Sequence, residues 1–106
     1  MKVHNHFGAG FAEVVYENSL ILALRDIGLQ ANQQSPLEVD FEGQKVGKFY
    51  VDILVDSKII LEIKSTEYLS DRHRAQTLNY CRAADLRLGM RINFGAPRLE
   101  YERIVN

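Results

Sequence analysis

The sequence predicts an α/β (α+β) fold with a central mixed sheet, in the order helix, three strands, helix, strand, strand. Apolar residues recur at helical spacing in residues 11–27, and from residue 39 onward they alternate at strand spacing. With 106 residues, 46% of them hydrophobic, the chain can form one core without a second domain. We therefore expect one domain over residues 1–106.

The first helix is predicted over residues 11–27, where apolar positions lie three and four apart. Gly28 is suited to end it, because glycine readily adopts the left-handed conformation of a helix C-terminus. After Pro36 the apolar residues alternate, and residues 42–44 interrupt them with Glu-Gly-Gln. This pattern predicts a β-hairpin.

A third strand is predicted over residues 58–64. Ser70 can cap a second helix over residues 71–84, since a serine hydroxyl accepts a hydrogen bond from the first helical turn. Residues 86–94 and 99–105 then predict two further strands, separated by a segment that contains glycine and proline.

Charge and apolar content restrict the function classes. The 13 basic and 14 acidic residues give a net charge of −1, so any phosphate binding must be local. Candidate nucleic-acid contacts are Arg72, His73 and Arg74, although such residues are as often ordinary surface groups. No apolar stretch approaches the roughly 20 residues of a membrane helix, and no leader is apparent. A single cysteine, Cys81, cannot form an internal disulfide. We expect a cytoplasmic protein without membrane contact.

Two acidic residues interrupt apolar strands. In residues 58–64, strand alternation places Glu62 and Lys64 on one face. Asp52 lies in the preceding apolar strand and, like Glu62, is expensive to bury unless it is paired, hydrated or bound to a cation. A solvated Glu-Lys pair would explain Glu62 and Lys64 alone. Together with Asp52, they predict a site for Mg²⁺ or Mn²⁺, which prefer carboxylate oxygens, and for an anionic substrate.

The metal-site hypothesis requires a particular strand register. Opposed residues of an antiparallel hairpin share a face and have position numbers with a constant sum. A two-residue turn would send Asp52 and Glu62 to opposite faces. We therefore predict the three-residue loop 56–58, which pairs Val55 with Ile59, or else a β-bulge between the two acids. Lys58 is expected to adopt the left-handed conformation.

These residues carry a family resemblance. Asp52, a short hairpin and Glu62-Ile63-Lys64 resemble the metal signature of the PD-(D/E)xK nuclease superfamily. Residues 76–80, Gln-Thr-Leu-Asn-Tyr, resemble the QxxxY motif of its RecB-like branch. Residues 10–16, Gly-Phe-Ala-Glu-Val-Val-Tyr, match the signature of the mostly prokaryotic GxxExxY proteins, and that resemblance covers nearly the whole chain.

The resemblance implies a restriction-endonuclease-like core and a metal-dependent nuclease that acts on DNA or, as the less favoured substrate, RNA. Asp52, Glu62 and the Ile63 carbonyl would bind Mg²⁺ or Mn²⁺, and Lys64 would be the catalytic lysine. Glu13 would supply a third carboxylate, although an exposed helix glutamate is the ordinary interpretation of that residue.

The resemblance also makes Gln76 and Tyr80 candidate catalytic residues. They lie four apart on one helix face, and His73 precedes Gln76 by three, so all three can point in one direction. A solvated polar stripe with a half-buried tyrosine is the alternative. The competing function is a catalytically silent module that keeps the fold and binds nucleic acid or a protein. Apolar residues near the start of the first helix favour a homodimer: they are Phe7, Phe11 and Tyr16.

Overall fold

The structure, a computed structural model, describes residues 2–69 and 71–106. Two predicted features lie outside the described part of the chain, namely the Ser70 helix cap and the side chain of Arg72. The described residues form helices α1 (Lys2–Phe7), α2 (Glu13–Asp26) and α3 (Arg74–Ala83), and strands β1 (Ala31–Phe41), β2 (Gln44–Val55), β3 (Ile59–Lys64), β4 (Leu88–Asn93) and β5 (Glu100–Val105). The predicted α/β (α+β) class is confirmed.

The five strands form one mixed sheet in the order β1-β2-β3-β4-β5. All neighbours are antiparallel except β3 and β4, and α3 forms the crossover that a parallel pair requires. Apolar side chains pack on both faces. The larger cluster joins α1 and α2 to the sheet and includes Tyr16, Leu20, Ile53, Ile63 and Phe94, and the smaller one lies under α3 and includes Val51, Leu54, Ile60 and Cys81.

The predicted register of the β2–β3 hairpin is confirmed, because Val55 pairs with Ile59 across residues 56–58. The prediction that Lys58 would be left-handed is wrong. Asp56 and Ser57 carry positive φ angles of 51° and 55°. The Lys58 N–H donates to the Val55 carbonyl at 2.9 Å, so the tight turn closes at Lys58, and the two left-handed residues lie before it.

Strand β1 begins at Ala31, well before Pro36. The polar run ahead of Pro36 has no apolar alternation, so the sequence pattern missed this half of the strand. Because β1 is at the edge of the sheet, it is a strand in which a proline is tolerated. The predicted second helix also differs, since a 3₁₀ turn, Asp71–His73, precedes α3.

The short helix α1 was not predicted from the sequence. Val3 belongs to the larger cluster, and His4 is buried, with Nε2 3.0 Å from the Ala96 carbonyl oxygen. Of the aromatic residues that favoured a homodimer, Tyr16 is buried and Phe7 packs against the same cluster, whereas Phe11 is 46% exposed. No helix in the described part of the chain is long and apolar enough to cross a membrane.

Candidate active site

Asp52 lies where the strand ladders on both of its sides are interrupted. Pairing between β1 and β2 passes from Ile53 to Val51 without a partner for Asp52. The β2–β3 ladder ends with Ile53 opposite Leu61, so Asp52 and Glu62 face each other one step beyond it. In place of a ladder bond, the Ile63 N–H donates to Asp52 Oδ2 at 2.8 Å. The opening allows the Asp52 carboxylate to reach across to β3.

Glu62 is a buried acid, only 9% exposed. Burial, together with the charge of Asp52 and a hydrogen bond to it, raises the pKa of Glu62 to about 8, while Lys64 opposes this change. Within the described chain, Glu62 Oε1 is buried with no hydrogen-bond partner. Such an atom ordinarily carries a large desolvation penalty. The acidic pair is therefore suited to bind either a proton or a cation.

Lys64 ends β3 beside the acidic pair and lines a pocket of about 250 Å³. The other acidic and basic residues of that pocket are Glu13, His73 and Arg91. The structure thus brings the predicted Glu13, Lys64 and His73 to one cavity. Basic residues outnumber the one acidic residue in this pocket, which suits it to an anion.

Arg91 is a buried basic residue of β4, opposite Glu62 in the parallel register. Its Nη1 lies 3.2 Å from Glu102 Oε2, and Glu102 also forms an ion pair with Arg74. The guanidinium of Arg74, a predicted phosphate contact, is therefore held by a carboxylate of β5. Arg91 was not predicted as a site residue.

Helix α3 brings Tyr80 toward the acids. Its ring stacks on Phe49 with centroids 4.4 Å apart and an interplanar angle of 14°. Burial, followed by the charges of Glu62 and Asp52, raises the Tyr80 pKa, which shows that the hydroxyl experiences the acidic pair. Gln76, one turn earlier, is exposed.

Helix α2 presents two acidic residues one turn apart. Glu13 begins the helix and is exposed. Glu17 is buried, and burial, the charge of Asp52 and the charge of Glu13 raise its pKa. Gln34 donates to Glu17 Oε1 at 2.7 Å and to Asp52 Oδ1 at 3.4 Å. Glu17, rather than the predicted Glu13, is therefore connected to Asp52.

Among the described residues, no three His, Cys, Asp or Glu side chains are placed to hold a metal by themselves. Mg²⁺ usually binds one or two carboxylates and completes its shell with water and substrate oxygens. Asp52 and Glu62 meet that requirement, and the unpartnered Glu62 Oε1 is an oxygen that a cation would satisfy. The donor set fits a hard divalent cation that shares its coordination with substrate.

Sequence reasoning missed three site residues. Glu17 follows Glu13 by four and could have been found from helix geometry. Arg91 interrupts the apolar residues of β4 as Glu62 interrupts those of β3, so the same argument about buried charge applies to it. Gln34 gave no signal, because it lies in a polar run.

Comparisons with known proteins agree with this geometry. The crystal structure of SSO0001 superposes with a TM-score of 0.57 and 19% identity over 88% of this chain, which shows a common fold. The match covers 52% of that chain, so the present chain spans about half the length of SSO0001. The search of curated proteins gave no match. A model of the PD-(D/E)XK nuclease superfamily matches residues 1–104, and the chain therefore belongs to that superfamily.

Proposed function

We propose that this protein is a metal-dependent nuclease that hydrolyses phosphodiester bonds of DNA, with RNA as the less favoured substrate. The observation that carries the proposal is the pair Asp52 and Glu62, opposed across the β2–β3 hairpin, with Lys64 two residues beyond Glu62. PD-(D/E)XK nucleases generally use divalent metal ions, and an acidic pair with an adjacent lysine supplies the residues for such chemistry.

The ligands of Mg²⁺ or Mn²⁺ would be Asp52, Glu62 and the Ile63 carbonyl. Glu13 lines the same pocket as Lys64 and would face the substrate there. When bound, the cation would lower the pKa of a coordinated water and neutralise negative charge on the phosphate. The Ile63 N–H, which donates to Asp52 Oδ2 at 2.8 Å, would orient that carboxylate.

The remaining residues would act on the phosphate and the attacking water. The Lys64 ammonium would orient the water or neutralise charge that develops in the transition state. Tyr80 and Gln76 would contact the substrate from α3. The pocket of Lys64, His73 and Arg91 suits an adjacent phosphate group.

We further assign the chain to the GxxExxY branch, on the motif of Gly10, Glu13 and Tyr16. The motif residues support different parts of the proposal. Tyr16 is buried in the main cluster and serves the fold, whereas Glu13 lines the pocket beside Lys64. Helix α2 therefore contributes one residue of the motif to the core and another to the pocket beside the acidic site.

The test is cleavage by the purified protein of single- and double-stranded DNA and RNA with Mn²⁺ or with EDTA. We expect Mn²⁺-dependent cleavage that EDTA abolishes, and a loss of at least about 100-fold in Lys64→Ala. Lys58→Ala, which removes a lysine from the β2–β3 loop, is the matched control and should retain activity. Nucleic-acid binding by the wild type without cleavage under any condition would overturn the nuclease proposal and favour a silent binding module.

A further inference from the structure

Gln34 combines a strained backbone with contacts to two acids. It lies opposite Asp52 in β1, at the step that the β1–β2 ladder omits. Its φ angle is 48°, in the left-handed region that long side chains rarely adopt. Such a conformation costs on the order of 1–3 kcal/mol and persists only where its surroundings maintain it.

The positive φ changes the direction of the Gln34 side chain. In a regular strand, neighbouring residues point to opposite faces. Here Gln33 donates to Asn18 Oδ1 at 2.6 Å, and Gln34 donates to Glu17 Oε1 at 2.7 Å. Two consecutive strand residues therefore reach two consecutive residues of α2, which the left-handed step at Gln34 permits.

The amide of Gln34 lies between two carboxylates. Its Nε2 donates to Glu17 Oε1 and, at the long distance of 3.4 Å, to Asp52 Oδ1. Asp52 Oδ2 is held separately by the Ile63 N–H. Both oxygens of Asp52 thus face neutral donors, and these donors determine the plane of the carboxylate relative to Glu62.

We propose that Gln34 is a positioning residue, which holds Glu17 beside Asp52 and orients the Asp52 carboxylate for the metal. The proposal rests on the proposed function for its metal. Gln34 acts only through these two acids, and its strained backbone is the condition for its side chain to reach both. Groups that orient metal-binding carboxylates typically change metal affinity by 10- to 100-fold when they are removed.

The Gln34→Gly variant distinguishes the contribution of the side-chain amide from that of the strained backbone. Glycine removes the amide and also relieves the left-handed strain. If Gln34 only shapes the strand, the variant should bind Mn²⁺ as the wild type does. We expect a Mn²⁺ affinity about tenfold weaker, measured by calorimetry. Glu42→Gly is the matched control, because Glu42 is an exposed hairpin residue with a φ angle of 50°, and its Mn²⁺ affinity should equal that of the wild type.

Unfolding midpoints measured without metal test the role of Gln34 without relying on enzymatic activity. Without the amide, Glu17 and Asp52 repel each other more strongly. The change in unfolding midpoint caused by Gln34→Gly should therefore be more destabilising with Asp52 present than in an Asp52→Asn background. Glu42→Gly should cause the same change in both backgrounds.

The outcomes separate this inference from the proposed function. Equal Mn²⁺ affinity of Gln34→Gly and the wild type, or equal midpoint changes in the two backgrounds, would overturn the inference and leave the nuclease proposal intact. If the wild type neither binds Mn²⁺ nor cleaves nucleic acid, the proposed function fails. In that case the metal-free comparison alone decides whether Gln34 positions the two acids.

Discussion

The side chains of Asp52 and Glu62 interact across the β2–β3 hairpin, one step beyond the last ladder pair, Ile53 with Leu61. The three-residue loop produces this opposition, because Val55 pairs with Ile59 and the position sum is kept along the hairpin. The Asp52 carboxylate accepts a hydrogen bond from the Ile63 N–H, and its negative charge helps to raise the pKa of Glu62. A two-residue turn would have separated the acids to opposite faces.

The stability of the metal-free protein should fall as pH rises. The pKa of Glu62 is raised from 4.5 to about 8 in the folded state, so between these values the folded protein holds a proton that the unfolded chain releases. This group therefore stabilises the fold below about pH 4.5 and loses that contribution progressively up to pH 8, by at most about 1.4 kcal/mol per pH unit.

Urea unfolding in EDTA at several pH values measures this effect. Glu62→Gln mimics the protonated acid and lacks the titration, so the stability of the wild type relative to this variant should decrease from pH 5 to pH 8. Parallel pH profiles for the two proteins would show that Glu62 does not titrate with a raised pKa.

Bound Mn²⁺ should oppose this pH dependence. The cation needs the ionised carboxylate, and the proton on Glu62 competes with it at lower pH. Saturating Mn²⁺ should therefore raise the wild-type unfolding midpoint more at pH 8 than at pH 6. Differential scanning fluorimetry, with Glu62→Gln as the control, measures both shifts. The same Mn²⁺ shift at the two pH values would argue against a site that contains Glu62.

Tyr16 should contribute to stability through its hydroxyl. That group donates to the Gly8 carbonyl at 2.5 Å and accepts from the Phe11 N–H at 3.1 Å, which joins the segment before α2 to the helix. Tyr16→Phe keeps the ring stacked on Phe94 but leaves these two backbone groups without the hydroxyl. We expect a loss of about 1–3 kcal/mol in urea unfolding. An unchanged free energy of unfolding would contradict this role.

A side chain at Gly95 should destabilise the fold. A Cβ at this position would lie 2.3 Å from the Thr66 carbonyl oxygen, and Asn93 holds Thr66 by accepting from its N–H and donating to its carbonyl. We expect Gly95→Ala to cost about 1–3 kcal/mol, as forced overpacking commonly does. Gly47→Ala is the control, because a Cβ there meets nothing within 4 Å. If the two variants had equal thermal unfolding midpoints, the close contact between residue 95 and Thr66 would not explain the glycine.

The parts of the site that the sequence predicted are those with a regular period. Alternation in an apolar strand identified Glu62 and Lys64, and the constant sum of opposed positions predicted the loop that brings Asp52 to Glu62. Gln34 depends instead on one irregular φ angle, and Arg91 is adjacent to Glu62 only after a parallel crossover. Neither relationship follows from local spacing.

The most direct test of the metal site is calorimetric titration of the protein with Mn²⁺ in the absence of nucleic acid. We expect the wild type to bind and Asp52→Asn to lose most of that affinity, because the variant removes a charged oxygen ligand. Asp40→Asn, which removes an exposed acid of β1, should bind as the wild type does. Equal Mn²⁺ affinities for Asp52→Asn and the wild type would contradict the role of Asp52 as a metal ligand.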